Sequence, residues 1–364
     1  MDFIDLKTQY QRDKQAIWER LSRNMENASF ILGPDVAELE KTLAHYVGVK
    51  HAIGVASGTD ALLIPLLAYG IGPGDEVITT PFTFVATVEV IALLGAKPVF
   101  VDIDPKTYLI DIHQVEKAIT PRTKGIISVS LYGQTPDMDA LNSIAKKHNL
   151  WVMEDAAQSF GAIYKDKKSC NLSDVAATSF FPSKPLGCYG DGGMIFTNDD
   201  ELALKMRQIA NHGQHVRYQH CYVGINARLD TLQAAVLLAK WPHFEEEANS
   251  RHHIGQRYTE LLKNTVVTPV LEKNTTRSVY AQYTIRVQNR DSVINFLKDK
   301  GIPTAVHYPI PLHLQEAYRS LGYKEGDFPH AEKAAQEVMS LPMHPFLTEE
   351  TMQYIVDNVK QAVR

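Results

Sequence analysis

Lys184 has a sequence environment that could bring a reactive amine close to another group. It lies in SFFPSKPLGCYGDGG, with Pro182 and Pro185 on either side and several glycines directly after it. A lysine in an open loop would have no special chemistry, but prolines fix the chain and glycines allow close backbone approach. A lysine held in a partly desolvated cleft has a lowered pKa and can form a Schiff base. Lys184 is therefore a candidate nucleophile.

Asp155 stands at the C-terminal end of the apolar run WVMED, which predicts a buried strand. A carboxylate at that position can face a ligand cleft while the strand behind it is buried. The alternative is that Asp155 begins the next helix as its N-cap residue. Its neighbour Glu154 points to the opposite face by strand alternation and could be the structural one of the two.

The segment ASGTDAL, residues 56–62, joins the end of a predicted strand to the start of a predicted helix. The free N–H groups of a helix start, the Thr59 hydroxyl and the positive end of the helix dipole can together bind an anion. The alternative is a simple helix cap by Ser57 or Thr59. Neither the spacing of a P-loop nor that of a GxSxG nucleophile elbow is present.

Taken together, these three features describe a site for pyridoxal 5'-phosphate (PLP). The lysine would bind the cofactor, the aspartate would keep its pyridinium nitrogen protonated, and the helix start would take its phosphate. The combination is far more specific than any one of the three features.

The elements that must position these residues alternate between β-rich and helical runs. Such alternation predicts βαβ units and a mostly parallel sheet with both faces covered, and ligands bind at the C-terminal ends of its strands. The predicted strands cover residues 51–57, 75–80, 97–103, 123–133, 151–157, 175–181 and 193–199.

After Asp200 the pattern changes. Residues 229–264 are dominated by helical periodicity, and short strands are predicted at 276–287 and 302–308, followed by terminal helices. We therefore expect an α/β chain with a large domain and N-terminal helical arm over residues 1–250, and a smaller α/β domain over residues 251–364.

Composition and charge exclude several classes of protein. The chain has 364 residues and a net charge of −5, which argues against a nucleic-acid surface that relies on bulk positive charge. Three cysteines without a CxxC pair favour a reducing compartment. No signal-peptide pattern and no long apolar stretch is found, so a cytoplasmic protein without membrane contact is expected. HEXXH is absent, and no metal site is expected.

From FIDLK to SLPMHP the chain resembles the DegT/StrS-type family of PLP-dependent nucleotide-sugar aminotransferases. The resemblance implies the aspartate-aminotransferase-like fold (PLP fold type I) and a homodimer with shared active sites. Within the family, the chain is most similar to enzymes that aminate UDP-2-acetamido-2-deoxy-3-keto-glucuronate with glutamate for bacterial surface polysaccharides. The strings that carry the resemblance are ILGPDVAELE, ASGTDAL, GPGDEVITTPFTFVAT, VDIDPKTY, EDAAQSFGA, SFFPSKPLGCYGDGG, GINARLDTLQAA and TAVHYPIPL.

The resemblance also implies roles for individual residues. Lys184 corresponds to the lysine that binds PLP covalently, and Asp155 to the partner of the pyridinium nitrogen. The cofactor is expected to contact Gln158 at its ring hydroxyl, Phe84 on its ring face, Gly58, Thr59 and Ser179 at its phosphate, and Asn226 of the neighbouring subunit at the same phosphate. The nucleotide sugar is expected to contact Arg228, His307 and Tyr308.

Three of these residues also have ordinary structural interpretations. Phe84 could belong to the hydrophobic core, Arg228 could pair with Asp230, and His307 could be a strand histidine with satisfied hydrogen bonds.

Two other classes of function fit the sequence less well. An NAD-linked sugar oxidoreductase would need GxGxxG after its first strand, and that motif is absent. A non-catalytic PLP- or sugar-binding regulator is disfavoured by Lys184 and Asp155. Some relatives have histidine in place of the lysine and are dehydratases, so the retained lysine favours amino transfer. An aminotransferase for another 3-keto or 4-keto-6-deoxy sugar nucleotide stays open.

Overall fold

The computed structural model describes residues 1–364 and contains twelve α-helices and fourteen strands. The helices are α1 (Leu6–Glu26), α2 (Pro34–Val47), α3 (Gly58–Tyr69), α4 (Ala86–Leu93), α5 (Ile112–Val115), α6 (Met138–Lys147), α7 (Asp200–Ala210), α8 (Thr231–Lys240), α9 (Phe244–Leu262), α10 (Arg290–Asp299), α11 (Pro329–Glu337) and α12 (Glu349–Ala362). The strands are β1 (His51–Val55), β2 (Glu76–Thr79), β3 (Lys97–Phe100), β4 (Thr123–Val129), β5 (Trp151–Asp155), β6 (Ile163–Tyr164), β7 (Lys167–Lys168), β8 (Val175–Ser179), β9 (Gly193–Thr197), β10 (Gln214–Val216), β11 (Gln219–His220), β12 (Thr275–Arg277), β13 (Tyr283–Arg286) and β14 (Val338–Leu341).

Seven short apolar runs form the central sheet, in the order β1-β9-β8-β5-β4-β2-β3. Six of the strands are parallel to one another, and β9 is antiparallel to both of its neighbours. All seven were predicted from the sequence. The mostly parallel sheet and its α/β class are therefore confirmed.

Helices cover both faces of this sheet because its strands alternate side chains between two hydrophobic cores. On β9, Ile195 faces the core formed with α3 and α7, whereas Met194 and Phe196 face the core formed with α2 and α8. This layered arrangement leaves the strand ends as the place where polar side chains can meet a ligand.

The C-terminal part of the chain has a hydrophobic core of its own. It contains Tyr258 of α9, Ile285 of β13, Leu297 of α10 and Ile355 of α12, all almost fully buried. β13 pairs with β14 in an antiparallel ladder. Helix α9 runs continuously across residue 250. The domain division at that residue stays a prediction.

Two predicted strands in this part are wrong in detail. Residues 302–308 do not form a strand. They contain Pro303, which removes a backbone donor, and they make only an isolated bridge from Ala305 to Ser340. The run 276–287 is divided between β12 and β13, because Tyr280 adopts a positive φ of 38° that ends the extended chain. β14 was missed.

None of the helices combines the length and hydropathy needed to cross a membrane.

Candidate active site

A cavity of about 420 Å³ opens beyond the ends of β5 and β8, beside the start of α3. The large sheet supplies most of its walls, and the C-terminal part of the chain supplies one side. Nine of the eleven residues predicted from the sequence line it: Gly58, Thr59, Phe84, Asp155, Gln158, Ser179, Lys184, His307 and Tyr308.

Asp155 is the last residue of β5 and is only 6% exposed. Its Oδ2 accepts a hydrogen bond from the Thr87 hydroxyl at 2.7 Å, and its Oδ1 accepts one from the Ala157 amide at 3.2 Å. No helix follows, so the alternative of a helix cap is wrong. Burial raises the pKa of this carboxyl in spite of those hydrogen bonds and the nearby Lys184 charge.

Glu154 lies on the opposite face of the strand, as alternation predicted. It is completely buried and accepts hydrogen bonds from Ser130 at 2.8 Å, Ser169 at 2.6 Å and the Cys170 amide at 2.8 Å. Its contacts therefore join β5 to two neighbouring segments behind the cavity.

Lys184 lies in the tight connection between β8 and β9. Its backbone amide donates to the carbonyl of Phe181 at 2.8 Å, and its side chain lines the cavity. Burial lowers the pKa of the Lys184 amine, while the Asp155 carboxylate acts in the opposite direction. A lowered pKa increases the fraction of neutral amine, which is the nucleophilic form.

The start of α3 forms the third wall. Ser57 caps the helix, since its hydroxyl accepts a hydrogen bond from the Asp60 amide at 3.0 Å. A Cβ placed on Gly58 would lie 2.6 Å from the Cβ of Ser179, so only glycine lets this helix start approach the end of β8. Ser57 thus has the capping role, and Gly58, Thr59 and Ser179 are left beside the cavity.

A hydrogen-bonded set of side chains forms the side near the C-terminal part of the chain. Gln158 donates to the Tyr308 hydroxyl at 3.0 Å and accepts from the Tyr132 amide at 2.7 Å. His307 Nδ1 lies 3.1 Å from the Ser340 hydroxyl, and burial lowers the pKa of His307 to about 4. The imidazole is therefore neutral near pH 7. Phe84 is 54% exposed, so its interpretation as a core residue is wrong.

Asn226 and Arg228 do not line this cavity. They face a second cleft of about 380 Å³, and Asp191 lines both clefts. Arg228 Nη1 donates to Asn211 at 2.8 Å, and its Nε is buried without a partner. The expected alternative of an ion pair with Asp230 is absent. The guanidinium therefore keeps unused donors beside the second cleft.

Sequence reasoning missed several residues that line the cavity or hold its side chains. Thr87, which holds Asp155, lies 68 residues before it, and no local pattern links the two. Only a prediction that α4 begins at the same sheet edge as β5 ends could have brought them together. The other missed polar residues at the cavity are Thr83, Ser183, Asp191 and Gln282.

Comparison with known proteins identifies the family of the chain. Residues 11–360 match the model of the DegT/DnrJ/EryC1/StrS aminotransferase family, and the chain belongs to that family. It is 60% identical to a UDP-2-acetamido-2-deoxy-3-oxo-D-glucuronate aminotransferase of Pseudomonas aeruginosa, over 95% of this chain and 96% of the relative.

Two further similarities bear on the fold and the site. The chain is 52% identical to a "pleiotropic regulatory protein" of Geobacillus stearothermophilus, over 99% of this chain and 98% of the relative. The crystal structure of ntda from Bacillus subtilis, with the cofactor PMP bound, superposes with a TM-score of 0.91 at 32% identity, covering 99% of this chain and 83% of that one. The expected PLP fold type I is confirmed.

The charge coupling between Lys184 and Asp155 can be measured in the cofactor-free protein. Because the Asp155 carboxylate raises the Lys184 pKa, Asp155→Asn should lower that pKa further. Labelling with an amine-reactive reagent over a range of pH, quantified by mass spectrometry at Lys184, reports the shift. Asp166→Asn, at an exposed carboxylate outside the cavity, should leave the profile unchanged. A pKa that stays constant or rises in Asp155→Asn would contradict the coupling.

Proposed function

We propose that this chain is a PLP-dependent aminotransferase that transfers the amino group of glutamate to a keto-sugar nucleotide. The proposed acceptor is UDP-2-acetamido-2-deoxy-3-keto-glucuronate, and the product is its 3-amino sugar for bacterial surface polysaccharide (O-antigen) synthesis. The observation that carries the proposal is the pairing of Lys184 and Asp155 in one cavity. The 60% identity to the Pseudomonas enzyme supports the choice of acceptor.

The residues of the cavity fit PLP. Asp155 is a buried carboxyl group with a raised pKa, and the protonated ring nitrogen of PLP would be a cationic partner that stabilises its charged form. Gly58, Thr59 and Ser179 would hold the phosphate at the start of α3, where N–H groups and the helix dipole favour an anion. When bound, PLP withdraws electrons from the carbon that loses or gains a proton.

The side chains of the cavity then have separate tasks. The Lys184 amine, with its lowered pKa, would bond the cofactor and would hold and move the proton at the reacting carbon as general base and acid. The exposed ring of Phe84 would cover one face of the cofactor ring. Gln158, held by Tyr132 and Tyr308, would contact the ring hydroxyl. His307 and Tyr308 would border the acceptor sugar.

Lys184→Ala tests the central assignment. The variant should lose turnover by at least roughly 10³-fold, since the covalent link and the acid–base group are removed together. In the wild type, borohydride reduction in the presence of PLP should attach the pyridoxyl group of the cofactor permanently to the peptide that contains Lys184. Lys298→Ala, at an exposed lysine of α10, is the control and should keep both properties. Turnover close to the wild type in Lys184→Ala would refute the assignment.

The second cleft supports a homodimer with shared active sites. Asn226 is exposed, and Ile31, which lines the same cleft, is 51% exposed between Phe30 at 48% and Leu32 at 54%. Exposed apolar residues beside unpaired polar groups are typical of a surface that a second subunit covers. In a two-fold dimer each subunit can lend Asn226 to the phosphate site of the other.

Mixed dimers test whether Asn226 serves the neighbouring site. Lys184→Ala and Asn226→Asp are each expected to be inactive, the second because its carboxylate repels the phosphate. A hybrid of the two has one site with both native residues, so random mixing should restore roughly a quarter of the wild-type activity. Native mass spectrometry confirms that hybrids form. Inactive hybrids would show that Asn226 acts in its own subunit, and an active Asn226→Asp variant would show that Asn226 does not serve the phosphate site.

Arg228 is the proposed contact for the sugar carboxylate. Its buried Nε has no partner, and a forked guanidinium suits a carboxylate. A competing assignment is that Arg228 contacts the diphosphate or the carboxylate of glutamate, in which case the acceptor could be a neutral 4-keto-6-deoxy sugar.

Competing acceptors distinguish these assignments. A charge-assisted hydrogen bond contributes about 1.5–3 kcal/mol. Arg228→Met should therefore reduce kcat/KM for the uronate roughly 10- to 150-fold more than for the neutral sugar. If the wild type prefers the neutral sugar, the proposed acceptor is wrong. If Arg228→Met affects both sugars equally, the acceptor stands and the role of Arg228 falls.

A regulator without catalytic activity is the second candidate, and the 52% identity to a pleiotropic regulatory protein favours it. Turnover of glutamate to 2-oxoglutarate with a keto-sugar nucleotide decides between the two.

We place the reaction in the cytoplasm, and the support for this location is that Cys170, Cys188 and Cys221 are all free.

A further inference from the structure

Lys240, the last residue of α8, is a charged side chain that the proposed reaction does not use. It is 3% exposed, and it forms no salt bridge with any carboxylate of the chain. Lysine is almost never fully buried unless its charge is paired, because removing an ammonium from water is costly. A buried lysine without such a pair therefore points to a specific requirement at this position.

The contacts of Lys240 are with the segment that follows Lys184. Its Nζ donates a hydrogen bond to the carbonyl of Gly187, and the ammonium lies 5.2 Å from the centre of the Tyr189 ring. Gly187 is tightly enclosed, since a Cβ there would lie 2.5 Å from the carbonyl oxygen of Pro182. The carbonyl that Lys240 holds thus belongs to a backbone with little room to shift.

The same segment is closed on itself. The Cys188 amide donates to the carbonyl of Phe180 at 2.8 Å, so the two ends of the turn that contains Lys184 are joined. Gln233, also on α8, accepts a hydrogen bond from the Tyr189 amide at 3.0 Å. Two side chains of one helix therefore fix this turn from outside the cavity.

The other charged groups around Lys240 are committed elsewhere. Glu247 of α9 accepts from Arg12 and Gln9, and Asp13 of α1 accepts from Arg12. Burial lowers the pKa of Lys240 to about 8, in spite of the opposing effects of Glu247, Cys188 and Asp13. The carbonyl of Gly187 is the one hydrogen-bond acceptor that the structure gives this ammonium.

We propose that Lys240 is a positioning residue for Lys184, which acts by fixing the carbonyl of Gly187 and through it the turn that aims the Lys184 amine into the cavity. Lys240 itself does not line that cavity. The inference rests on the proposed function only for the identity of Lys184 as the reacting amine. The arrangement of the turn is independent of it.

Lys240→Met removes the donor and keeps an unbranched side chain that is one atom shorter. A loosened turn lets water reach the Lys184 amine, so the pKa of Lys184 in the cofactor-free protein should rise toward its ordinary value. Labelling against pH at Lys184 measures that shift without any cofactor. In the loaded enzyme kcat should fall roughly 10- to 100-fold with a much smaller change in KM, as expected for a misplaced reacting group.

Val236→Ala is the matched control on the same helix. Val236 is buried against Ile17 of α1 and does not touch the turn, so its truncation should lower Tm and leave the Lys184 labelling profile unchanged. Lys240→Gln keeps a donor on a side chain one bond shorter, and it should show a smaller shift than Lys240→Met. It carries the test alone if Lys240→Met does not fold.

The outcomes separate this proposal from the proposed function. A wild type that fails to bond PLP at Lys184 would overturn the function, whatever Lys240 does. A wild type that bonds PLP, together with folded Lys240 variants whose Lys184 pKa and kcat equal those of the wild type, would overturn the positioning role. The positioning role would also be overturned if Val236→Ala lowers Tm and shifts the Lys184 labelling profile as much as Lys240→Met does. That result would show a general loosening of the fold.

Discussion

A carboxylate buried at the end of a parallel strand is the feature on which the rest of this site depends. Asp155 is placed where water is largely excluded, and burial raises its pKa even though Thr87 and the Ala157 amide donate to it. A charge in that position is favourable only if a cation is bound beside it. Under the proposed function, the cavity therefore selects a ligand with a positive centre, and the neighbouring Lys184 would attach it.

The sequence predicted the central sheet well because its signal is local. All seven strands are short apolar runs between turns, and parallel order follows from the helices between them. The ends of these strands could be predicted from the same local signal. For that reason Asp155, Lys184 and the turn before α3 could be proposed as site residues from their spacing. Their chemical types matched one cofactor, and the family resemblance supplied the remaining positions.

What could not be predicted depends on contacts between distant segments. Thr87 meets Asp155, and Gln158 meets Tyr308, across separations of 68 and 150 residues that no periodicity encodes. The strand predicted at 302–308 failed because Pro303 lacks a backbone donor, so only Ala305 pairs with Ser340, on the edge of β14 that β13 leaves free. Backbone conformation at Tyr280 is likewise set by its surroundings.

The antiparallel orientation of β9 has a consequence for how new activities can arise on this scaffold. Because β8 and β9 are adjacent and antiparallel, the connection that carries Lys184 begins and ends at the same end of the strands. Strand order therefore does not require a crossover helix in this connection. Chemical diversification of the scaffold is expected through exchange of the residue at position 184, which leaves strand order unchanged, and not through insertions, because the close contacts of Gly187 and the hydrogen bond from Cys188 to Phe180 fix the path of the connection.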